Sequence, residues 1–396
     1  MTRFSKIVTI VSVTIILTGS IFYIYEANRN HIKFISEGSS KELSPVYYQQ
    51  KQQANDEITN SRQNIITETV KKVSPAVVGI TVTEIRQYVD PYSYFFNDPF
   101  FRQFFGNQGQ YSQKVKSLGS GFIISPDGYI VTNDHVAGNA AQITVTLTNG
   151  KNYNAKLIGT DHATDIALVK IEGDNLPYVN LGNSDDVIIG EWAIALGNPF
   201  GLFEINDKPT VTVGVISATG MNLDPVDNRY YLNMLQTDAA INGGNSGGPL
   251  VDATGDVIGM NTLIFNSGNS HGNIGIGFAI PINKVKKVIE ELKKNGKVNR
   301  DFDVGMSIQS IDETIAKYYN LNSTRGVVVT QVYRNSPADK AGIKVGDIIT
   351  RVNNYNITDQ NTMVGVFQEF RVGQTITVHI IRNNKDLTKE MTLEKK

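Results

Sequence analysis

The sequence predicts a mainly β protein with two folded units and one membrane-spanning helix in front of them. The chain has 396 residues, which is more than one average domain needs. Residues 76 to 280 consist of short β-rich runs separated by turn signals, a pattern typical of an all-β barrel or sandwich. An uncharged, apolar run at residues 7 to 25 precedes both units.

The composition excludes several classes of protein. With 37 Lys and Arg against 38 Asp and Glu, the formal charge is −1, so we expect no nucleic-acid partner. A hydrophobic content of 40% with 19% charged residues excludes both a disordered tail and a protein lying wholly in the membrane. The absence of cysteine excludes disulfides, thiol nucleophiles and cysteine-ligated metal sites.

The run from Ile7 to Tyr25 has about the length of a helix that crosses a bilayer. Arg3 and Lys6 precede it, which predicts a cytoplasmic amino terminus and a single-pass membrane anchor, with the folded units outside. A cleaved signal peptide is the alternative, but residues 21 to 25 are bulky, unlike a cleavage site. Residues 26 to 60 are polar and are expected to form a stalk.

The first folded unit, expected over residues 61 to 296, begins and ends with a helix. Apolar residues at helical spacing precede Ser74 and Pro75, where proline stops the pattern. A second apolar stripe follows Pro281 and ends near Gly296, with several lysines as its expected solvated face. Between the helices, strands are predicted at residues 76–82, 121–125, 143–147, 167–171 and 257–263.

The second unit is expected over residues 302 to 396, after a linker at residues 297 to 301. Its predicted strands lie at residues 326–332, 347–352 and 375–381, and its helix at residues 360–370. No repeat of solenoid length is visible.

Ten aromatic residues lie between Tyr88 and Tyr111. Flanking Asp, Pro, Gly and Asn residues favour a long loop, which is more often an interaction surface than a simple connection. The alternative is an additional piece of packed core, because large aromatic side chains are usually buried.

Ser246 lies in the string Asn242-Gly243-Gly244-Asn245-Ser246-Gly247-Gly248-Pro249. Glycines there allow a tight turn that presents backbone N–H groups to a substrate oxygen. The string also fits the nucleophile elbow of α/β-hydrolases. That fold places its aspartate and histidine after the serine and alternates strands with helices, whereas only His271 and His379 follow Ser246 and this region has scarcely any helix.

Upstream of the serine, His135 and Asp165 complete the order His, Asp, Ser. His135 follows a strand-like run that extends from Tyr129 to Asp134. A serine hydroxyl needs a base, so His135 is predicted to take the proton of Ser246 while Asp165 fixes the imidazole tautomer. The N–H groups of Gly244 and Ser246 are predicted to form the oxyanion hole. This chemistry requires no cofactor and no metal.

The first unit resembles the trypsin-like proteases of the HtrA (Deg) family. The matching stretches cover residues 74–78, 119–124, 132–136, 165–168, 195–201, 237–250 and 277–281. The resemblance implies a trypsin-like double six-stranded β-barrel, a serine endopeptidase of protein quality control and stress response, unfolded or misfolded proteins as substrates, and a homotrimer or larger homo-oligomer.

The resemblance also implies a substrate pocket lined by Ala240, Ile241, Gly277 and Phe278. In trypsin-like enzymes the pocket floor lies six residues before the serine. That residue is Ala240 here, so no carboxylate awaits Lys or Arg, and we expect small aliphatic P1 residues. Asn245 replaces the aspartate that captures a new amino terminus in digestive enzymes, which favours loop rearrangement over propeptide cleavage as the switch.

The second unit resembles the PDZ domains appended to HtrA proteases, over about 95 residues. The resemblance places a carboxylate-binding loop at Val304, Gly305 and Met306, from which Ser307 and Ile308 would pair with the carboxyl-terminal segment of a peptide as an added strand. Met363, Val366 and Phe367 would form the other wall of the groove, although helical geometry also allows such residues to pack in the core. Peptide binding would either tether substrates or activate the protease.

Three acidic sites carry weaker signals: Asp134 beside His135, the pair Asp161-His162, and the pair Asp185-Asp186. No second histidine lies at a spacing suited to metal binding, so we interpret them as solvated turns. Two rival functions were weighed. A non-enzymatic chaperone or scaffold would not need the triad, and a serine esterase does not fit the triad order or the PDZ unit.

Overall fold

A computed structural model of the chain describes residues 63–89, 110–198, 203, 207–242, 244–264 and 275–396. The expected membrane helix at residues 7–25, the stalk at residues 26–60 and residues 90–109 of the aromatic segment lie outside the described residues. Among the helices of the described part, none combines the length and apolar character that a bilayer span requires.

The first six strands close into a barrel. Helix α1 (Ile65–Val73) and a 3₁₀ turn at Ser74–Ala76 lead into it, as the proline signal predicted. The strands are β1 (Val77–Val89), β2 (Gln110–Ile123), β3 (Tyr129–Thr132), β4 (Gln142–Leu147), β5 (Asn152–Asp161) and β6 (Ile166–Lys170). All neighbouring pairs are antiparallel, in the order β1-β2-β3-β6-β5-β4. Fully buried aliphatic side chains such as Ile80, Ile130 and Leu168 fill its interior.

A second closed barrel follows, with the strand order β10-β11-β12-β9-β8-β7. Its strands are β7 (Trp192–Gly197), β8 (Thr210–Met221), β9 (Met234–Thr237), β10 (Pro249–Val251), β11 (Val257–Ile264) and β12 (Gly277–Pro281). The mainly β prediction with two six-stranded barrels is therefore confirmed. The loop that carries Ser246 connects β9 to β10.

Helix α3 (Ile282–Asn295) packs its apolar stripe against the barrels, as the sequence pattern predicted. The buried residues of the stripe are Ile282, Val285, Val288, Ile289 and Leu292. Gly296, with φ of 70°, ends the helix in the left-handed conformation that glycine adopts at little steric cost. The prediction of a wholly solvated lysine face is wrong for Lys284. Its side chain is 10% exposed and its Nζ lies 2.6 Å from Glu369 Oε1.

The second unit is built on a five-strand antiparallel path β14-β15-β16-β18-β19, with β17 paired to β16. Its strands are β13 (Phe302–Asp303), β14 (Met306–Ser310), β15 (Val327–Val332), β16 (Ile348–Val352), β17 (Tyr355–Asn356), β18 (Thr375–Arg382), β19 (Lys385–Thr392) and β20 (Glu394–Lys395). Its helices are α4 (Glu313–Tyr318), α5 (Pro337–Lys340) and α6 (Gln360–Gln368). Asp359 caps α6 by accepting a hydrogen bond of 2.8 Å from the Thr362 N–H.

Ion pairs and apolar contacts join the second unit to the barrels. Arg300 Nη1 and Nη2 lie 2.6 and 2.7 Å from the two carboxylate oxygens of Asp161, in a bidentate arrangement. Arg371 Nε lies 2.7 Å from Glu291 Oε1 on α3. Leu232, from the loop between β8 and β9, is 2% exposed and belongs to the core of the second unit. This loop therefore connects the two units directly.

Candidate active site

His135 lies in a single helical turn, α2 (Asp134–Ala137), which directly follows β3. The expectation that the strand extends to Asp134 is wrong, because β3 ends at Thr132 and the chain turns at Asn133. The His135 side chain is 33% exposed, so part of the imidazole is open to solvent.

Asp165 holds His135 by three contacts. Its Oδ1 accepts the His135 backbone N–H at 3.0 Å, and the His135 Nδ1 lies 3.0 Å from Oδ1 and 2.8 Å from Oδ2. Because a carboxylate accepts hydrogen bonds, the proton of the neutral imidazole lies on Nδ1 and the lone pair on Nε2 is free. Asp165 itself is fully buried, with the left-handed φ of 60° that aspartate tolerates better than most residues.

Ser246 lies in a turn whose neighbours Gly244 and Gly247 have φ of 102° and 84°. A Cβ at Gly247 would overlap atoms of Ser120 and Thr132. Only glycine therefore allows these segments of the chain to approach so closely. The Ser246 hydroxyl donates to the Thr262 carbonyl oxygen at 3.1 Å. Among the described residues, no hydrogen bond joins Ser246 Oγ to His135.

Ser120 on β2 fixes the loop around Ser246. Its backbone N–H donates to the Ser246 carbonyl at 2.9 Å, and its hydroxyl donates to the Gly244 carbonyl. The N–H of Asn245 donates to Asn242 O at 3.0 Å. Within the described part of the chain, the N–H groups of Gly244 and Ser246 have no backbone acceptor. Both predicted oxyanion donors thus lie in the same turn as the serine hydroxyl.

Sequence reasoning missed the residues that surround Asp165. Thr262 Oγ1 donates to Asp165 Oδ2 at 2.8 Å, and Tyr231 Oη donates to the same oxygen at 3.2 Å. Burial raises the pKa of Tyr231, and the negative charge of Asp165 raises it further, so the phenol remains a donor. Arg229 Nε lies 3.2 Å from Asp165 Oδ1. No local motif marks these three residues, because they come from other segments of the chain.

The interpretation of Asp134 and Asp161 as solvated turns is wrong. Asp134 is 4% exposed and Asp161 is 5% exposed. Each is paired: Asp134 contacts Arg229 Nη2 at 2.8 Å and His162 Nδ1 at 2.8 Å, and Asp161 is held by Arg300. Burial alone would raise the pKa of Asp134, but hydrogen bonds from Thr160, Arg229 and His162 outweigh burial and lower it. In the described residues, no cluster of His, Asp and Glu could hold a metal ion.

The structure brings Ile241 and Gly277 together, two of the four predicted pocket residues. A Cβ at Gly277 would lie 2.9 Å from Ile241 Cδ1, and Ile241 is fully buried. Ala240 is half-buried, and its carbonyl accepts the Thr212 hydroxyl at 2.7 Å. Phe278 is 4% exposed and packs with the core of the barrels. No carboxylate is present among these four positions.

In the second unit, β14 is an edge strand of the sheet and α6 packs beside it. The loop at Val304, Gly305 and Met306 begins this edge. Gly305 has φ of 68°, and its N–H donates to Asp303 Oδ1 at 2.9 Å. Ser307 and Ile308 of β14 are half-buried. An open strand edge beside a helix is the arrangement that accepts an added peptide strand.

The three predicted helix residues of the groove differ in their burial. Met363 and Val366 are fully buried and belong to the core of the unit. Phe367 is half-buried and packs edge-on against Phe302, with ring centroids 6.4 Å apart. Of these three side chains, Phe367 is therefore the one that a ligand in the groove can reach.

Two family models match the chain. A trypsin-like peptidase domain matches residues 119–260, and a PDZ domain matches residues 282–393. The second match includes α3, whose apolar stripe packs with the barrels. A "Probable periplasmic serine endoprotease DegP-like" from Marinomonas sp. is 42% identical over 343 residues, which cover 83% of this chain and 71% of that protein. The chain belongs to the HtrA (Deg) family.

Another HtrA relative and two solved structures are also similar to this chain. The protein of the same description from Chlamydia trachomatis is 44% identical over 310 residues, covering 77% of this chain and 60% of that protein. The solved "HtrA-type protease AlgW with decapeptide" is 37% identical, with a TM-score of 0.61 and coverage of 84% of this chain and 98% of that one. A serine endoprotease structure from Yersinia pestis is 34% identical, with a TM-score of 0.53 and coverage of 84% of this chain and 99% of that one.

Proposed function

We propose that this chain is a serine endopeptidase that hydrolyses peptide bonds through His135, Asp165 and Ser246. One observation carries the proposal: His135 Nδ1 lies 2.8 Å from buried Asp165, while Ser246 occupies a glycine turn that contains two candidate oxyanion donors. Nucleophile, base, orienting carboxylate and oxyanion donors are the groups that acyl transfer needs.

In the proposed reaction, His135 Nε2 accepts the proton of Ser246 Oγ as the oxygen attacks the scissile carbonyl carbon. Asp165 stabilises the resulting imidazolium. The N–H groups of Gly244 and Ser246 donate to the carbonyl oxygen as its negative charge develops. His135 then gives the proton to the leaving amine, and water hydrolyses the acyl-enzyme by the same steps.

Two observations support a resting state that requires loop rearrangement. The Ser246 hydroxyl donates to Thr262 O, so it must turn before His135 can take its proton. Asn245 Oδ1 is buried and has no hydrogen-bond partner in the described residues, although buried polar atoms are normally paired. A small shift of the loop would release the Ser246 hydroxyl from Thr262 and change the surroundings of Asn245 Oδ1. This fits the loop rearrangement that Asn245 led us to expect from the sequence.

The proposed pocket accepts small aliphatic P1 side chains. Ile241 lies against Gly277, and the half-buried Ala240 contributes no charge. A buried apolar wall without a carboxylate disfavours the lysine or arginine charge, because an unpaired charge is costly to desolvate.

The second unit is proposed to bind carboxyl-terminal peptides along β14 and to influence the protease. The loop from Arg229 to Leu232 supports this coupling. Arg229 and Tyr231 contact Asp165, whereas Tyr230 lies against Gly365 of α6, where an added Cβ would be 2.9 Å from the Tyr230 ring. Movement of α6 on peptide binding would therefore reach the residues that hold the triad.

The proposed substrates are unfolded or misfolded exported proteins. The relatives' names place them in the periplasm, which fits a protease domain outside the cytoplasmic membrane. The uncharged run at residues 7 to 25 would anchor the chain in that membrane. We further propose the homotrimer, or larger homo-oligomer, that the family resemblance implies.

Casein hydrolysis by the purified full-length chain tests the proposal. Ser246→Ala should reduce turnover by several powers of ten, because the triad acts as a unit. Ser323→Ala, which changes an exposed serine of the second unit, is the matched control and should retain wild-type activity. Wild-type hydrolysis by Ser246→Ala would refute the assignment. Suppression of aggregation without any hydrolysis by the wild type would instead support the chaperone or scaffold alternative.

A further inference from the structure

Arg229 lies between two buried carboxylates, and it lies outside the short motifs on which the family resemblance of the sequence rests. Its side chain is 9% exposed. Nη2 lies 2.8 Å from Asp134 Oδ2, and Nε lies 3.2 Å from Asp165 Oδ1. A single guanidinium therefore faces two carboxylates, one of which belongs to the proposed triad.

One contact of Arg229, from Nε, reaches the Asp165 oxygen that also holds the base. Asp165 Oδ1 accepts the His135 backbone N–H and contacts His135 Nδ1, both at 3.0 Å. Arg229 and His135 thus contact Oδ1 of this carboxylate, while Thr262 and Tyr231 donate to Oδ2. Arg229 is itself held by Asp134, whose carboxylate also accepts from Thr160 and His162.

We propose that Arg229 is a positioning residue for the pair Asp165 and His135. It orients the Asp165 carboxylate and reduces the negative charge that this carboxylate presents to the imidazole. The inference rests on the proposed function, because it concerns the same triad. Arg229 does not contact the reacting atoms and acts only through Asp165.

The charged and titratable groups around Arg229 are Asp134, Asp165, Tyr231 and Asp227, with His162 beyond Asp134. Asp227 Oδ2 lies 4.0 Å from Nη1 and is 83% exposed, so water screens it. Burial alone would lower the pKa of Arg229, but Asp134 and Asp165 outweigh burial and raise it. The guanidinium keeps its charge throughout the range in which histidine titrates.

The test measures the labelling rate of Ser246 by diisopropyl fluorophosphate in the purified full-length chain, from about pH 5 to about pH 9. R229Q removes the charge. It should lower the plateau rate by about 10-fold to 100-fold, because the ion-pair contact of 3.2 Å that holds Asp165 Oδ1 is lost. It should also raise the midpoint of the acid limb by at least about half a pH unit, since the unneutralised carboxylate stabilises the imidazolium.

R229K retains the charge but cannot contact both carboxylates through a planar fork. Its plateau rate should fall while its midpoint stays near that of the wild type. A purely structural role predicts a lower melting temperature in both variants with unchanged midpoints and rates per folded molecule. That result would overturn the proposal, as would equal midpoint shifts in R229Q and R229K.

A second pair of variants covers the case in which R229Q leaves Asp134 buried without its arginine partner and does not fold. D134N and D134N/R229Q differ only in Arg229, and neither contains the Asp134 charge. The double variant should have the lower plateau rate and the higher midpoint, and equal profiles would overturn the proposal.

Two controls show whether a change in the labelling profile comes from Arg229, from His162 or from failure of the proposed triad. Because His162 also contacts the Asp134 carboxylate, the R229Q comparison is repeated in H162N. The shift should persist there, and its disappearance would assign it to His162 and overturn the proposal. Wild-type labelling at Ser246, with none in Ser246→Ala, tests the proposed function separately from the role of Arg229.

Discussion

The hydroxyl of Ser246 donates to the carbonyl oxygen of Thr262, 3.1 Å away. The hydroxyl of the same threonine donates to Asp165 at 2.8 Å. Thr262 on β11 therefore contacts both ends of the proposed triad, and its carbonyl oxygen accepts the hydroxyl proton that His135 is proposed to take. In this state the imidazole is already oriented by Asp165, so the serine hydroxyl and the loop that carries it are the parts that must rearrange before the reaction.

The first prediction concerns the pH dependence of casein hydrolysis. His135 must be neutral to accept a proton, so kcat/KM should fall as the pH drops below about 6 to 7, where histidine ordinarily titrates. His379→Ala, which changes a histidine of the second unit, should leave this acid limb in place. A flat profile between about pH 5 and about pH 8 would contradict the role of His135.

The second prediction concerns the bonds that are cleaved. Because Ile241 and Gly277 form an uncharged apolar wall, cleavage should occur mainly after Val, Ala or Ile. Peptides released from an unfolded substrate can be sequenced by mass spectrometry, and Ser246→Ala shows the background. A majority of cuts after Lys or Arg would refute the proposed pocket.

The third prediction uses two glycines with left-handed φ angles in the second unit. A Cβ at Gly305 would lie 2.0 Å from Ser336 Cβ, whereas a Cβ at Gly373 would meet no atom within 4 Å. Gly305→Ala should therefore distort the peptide-binding loop, and Gly373→Ala should not. We expect Gly305→Ala to raise KM and lower kcat for substrates with apolar carboxyl termini.

Deletion of residues 302–396 separates tethering from activation. Tethering alone predicts a higher KM with unchanged kcat, whereas activation predicts the loss of both. The deletion also exposes Leu232, so the Gly305→Ala variant provides the comparison with an intact interface. If the truncated chain cleaved tailed and carboxyl-amidated substrates with the kcat/KM of the full chain, the second unit would have neither role.

The fourth prediction concerns the cap of α6. Asp359→Ala removes the acceptor of the Thr362 N–H and should lower the free energy of unfolding by about 1 kcal/mol near neutral pH, whereas Asp359→Asn should preserve most of the cap. Burial alone would raise the pKa of Asp359, but hydrogen bonds from Thr362 and Thr358 outweigh burial and lower it.

The sign of the pH effect follows from this lowered pKa. The stabilisation by the Asp359 carboxylate is present above its unfolded pKa of about 3.8 and is lost as the pH falls through the lower folded pKa. The difference between wild type and Asp359→Asn in urea unfolding should therefore depend on pH only in the acid range. A constant difference down to about pH 2 would contradict the assigned pKa direction.

The sequence by itself determined the mainly β class, the helix α3 and the three residues of the proposed triad. Each depends on a local pattern: turn signals between β-rich runs, an apolar stripe of period 3.6, or contiguous motifs in a fixed order. Such patterns consist of residues that are close in the chain, so a single sequence is enough to detect them. The sequence did not mark β19, because half of its eight residues are charged and it is an edge strand that the rest of the sheet positions.

Only the tertiary structure decided the environment of the triad. Arg229 and Asp134 are 95 residues apart in the chain. Each lies in a polar stretch that, taken alone, reads as a solvated turn. Their burial follows from the closure of the barrel and from the loop that Leu232 fixes to the second unit. Lys284 likewise belongs to the exposed face of an isolated helix and loses solvent because Glu369 and the carbonyl oxygen of Leu232 pair with it. Long-range pairing of polar residues leaves no periodic signal, since it depends on which surfaces meet after folding.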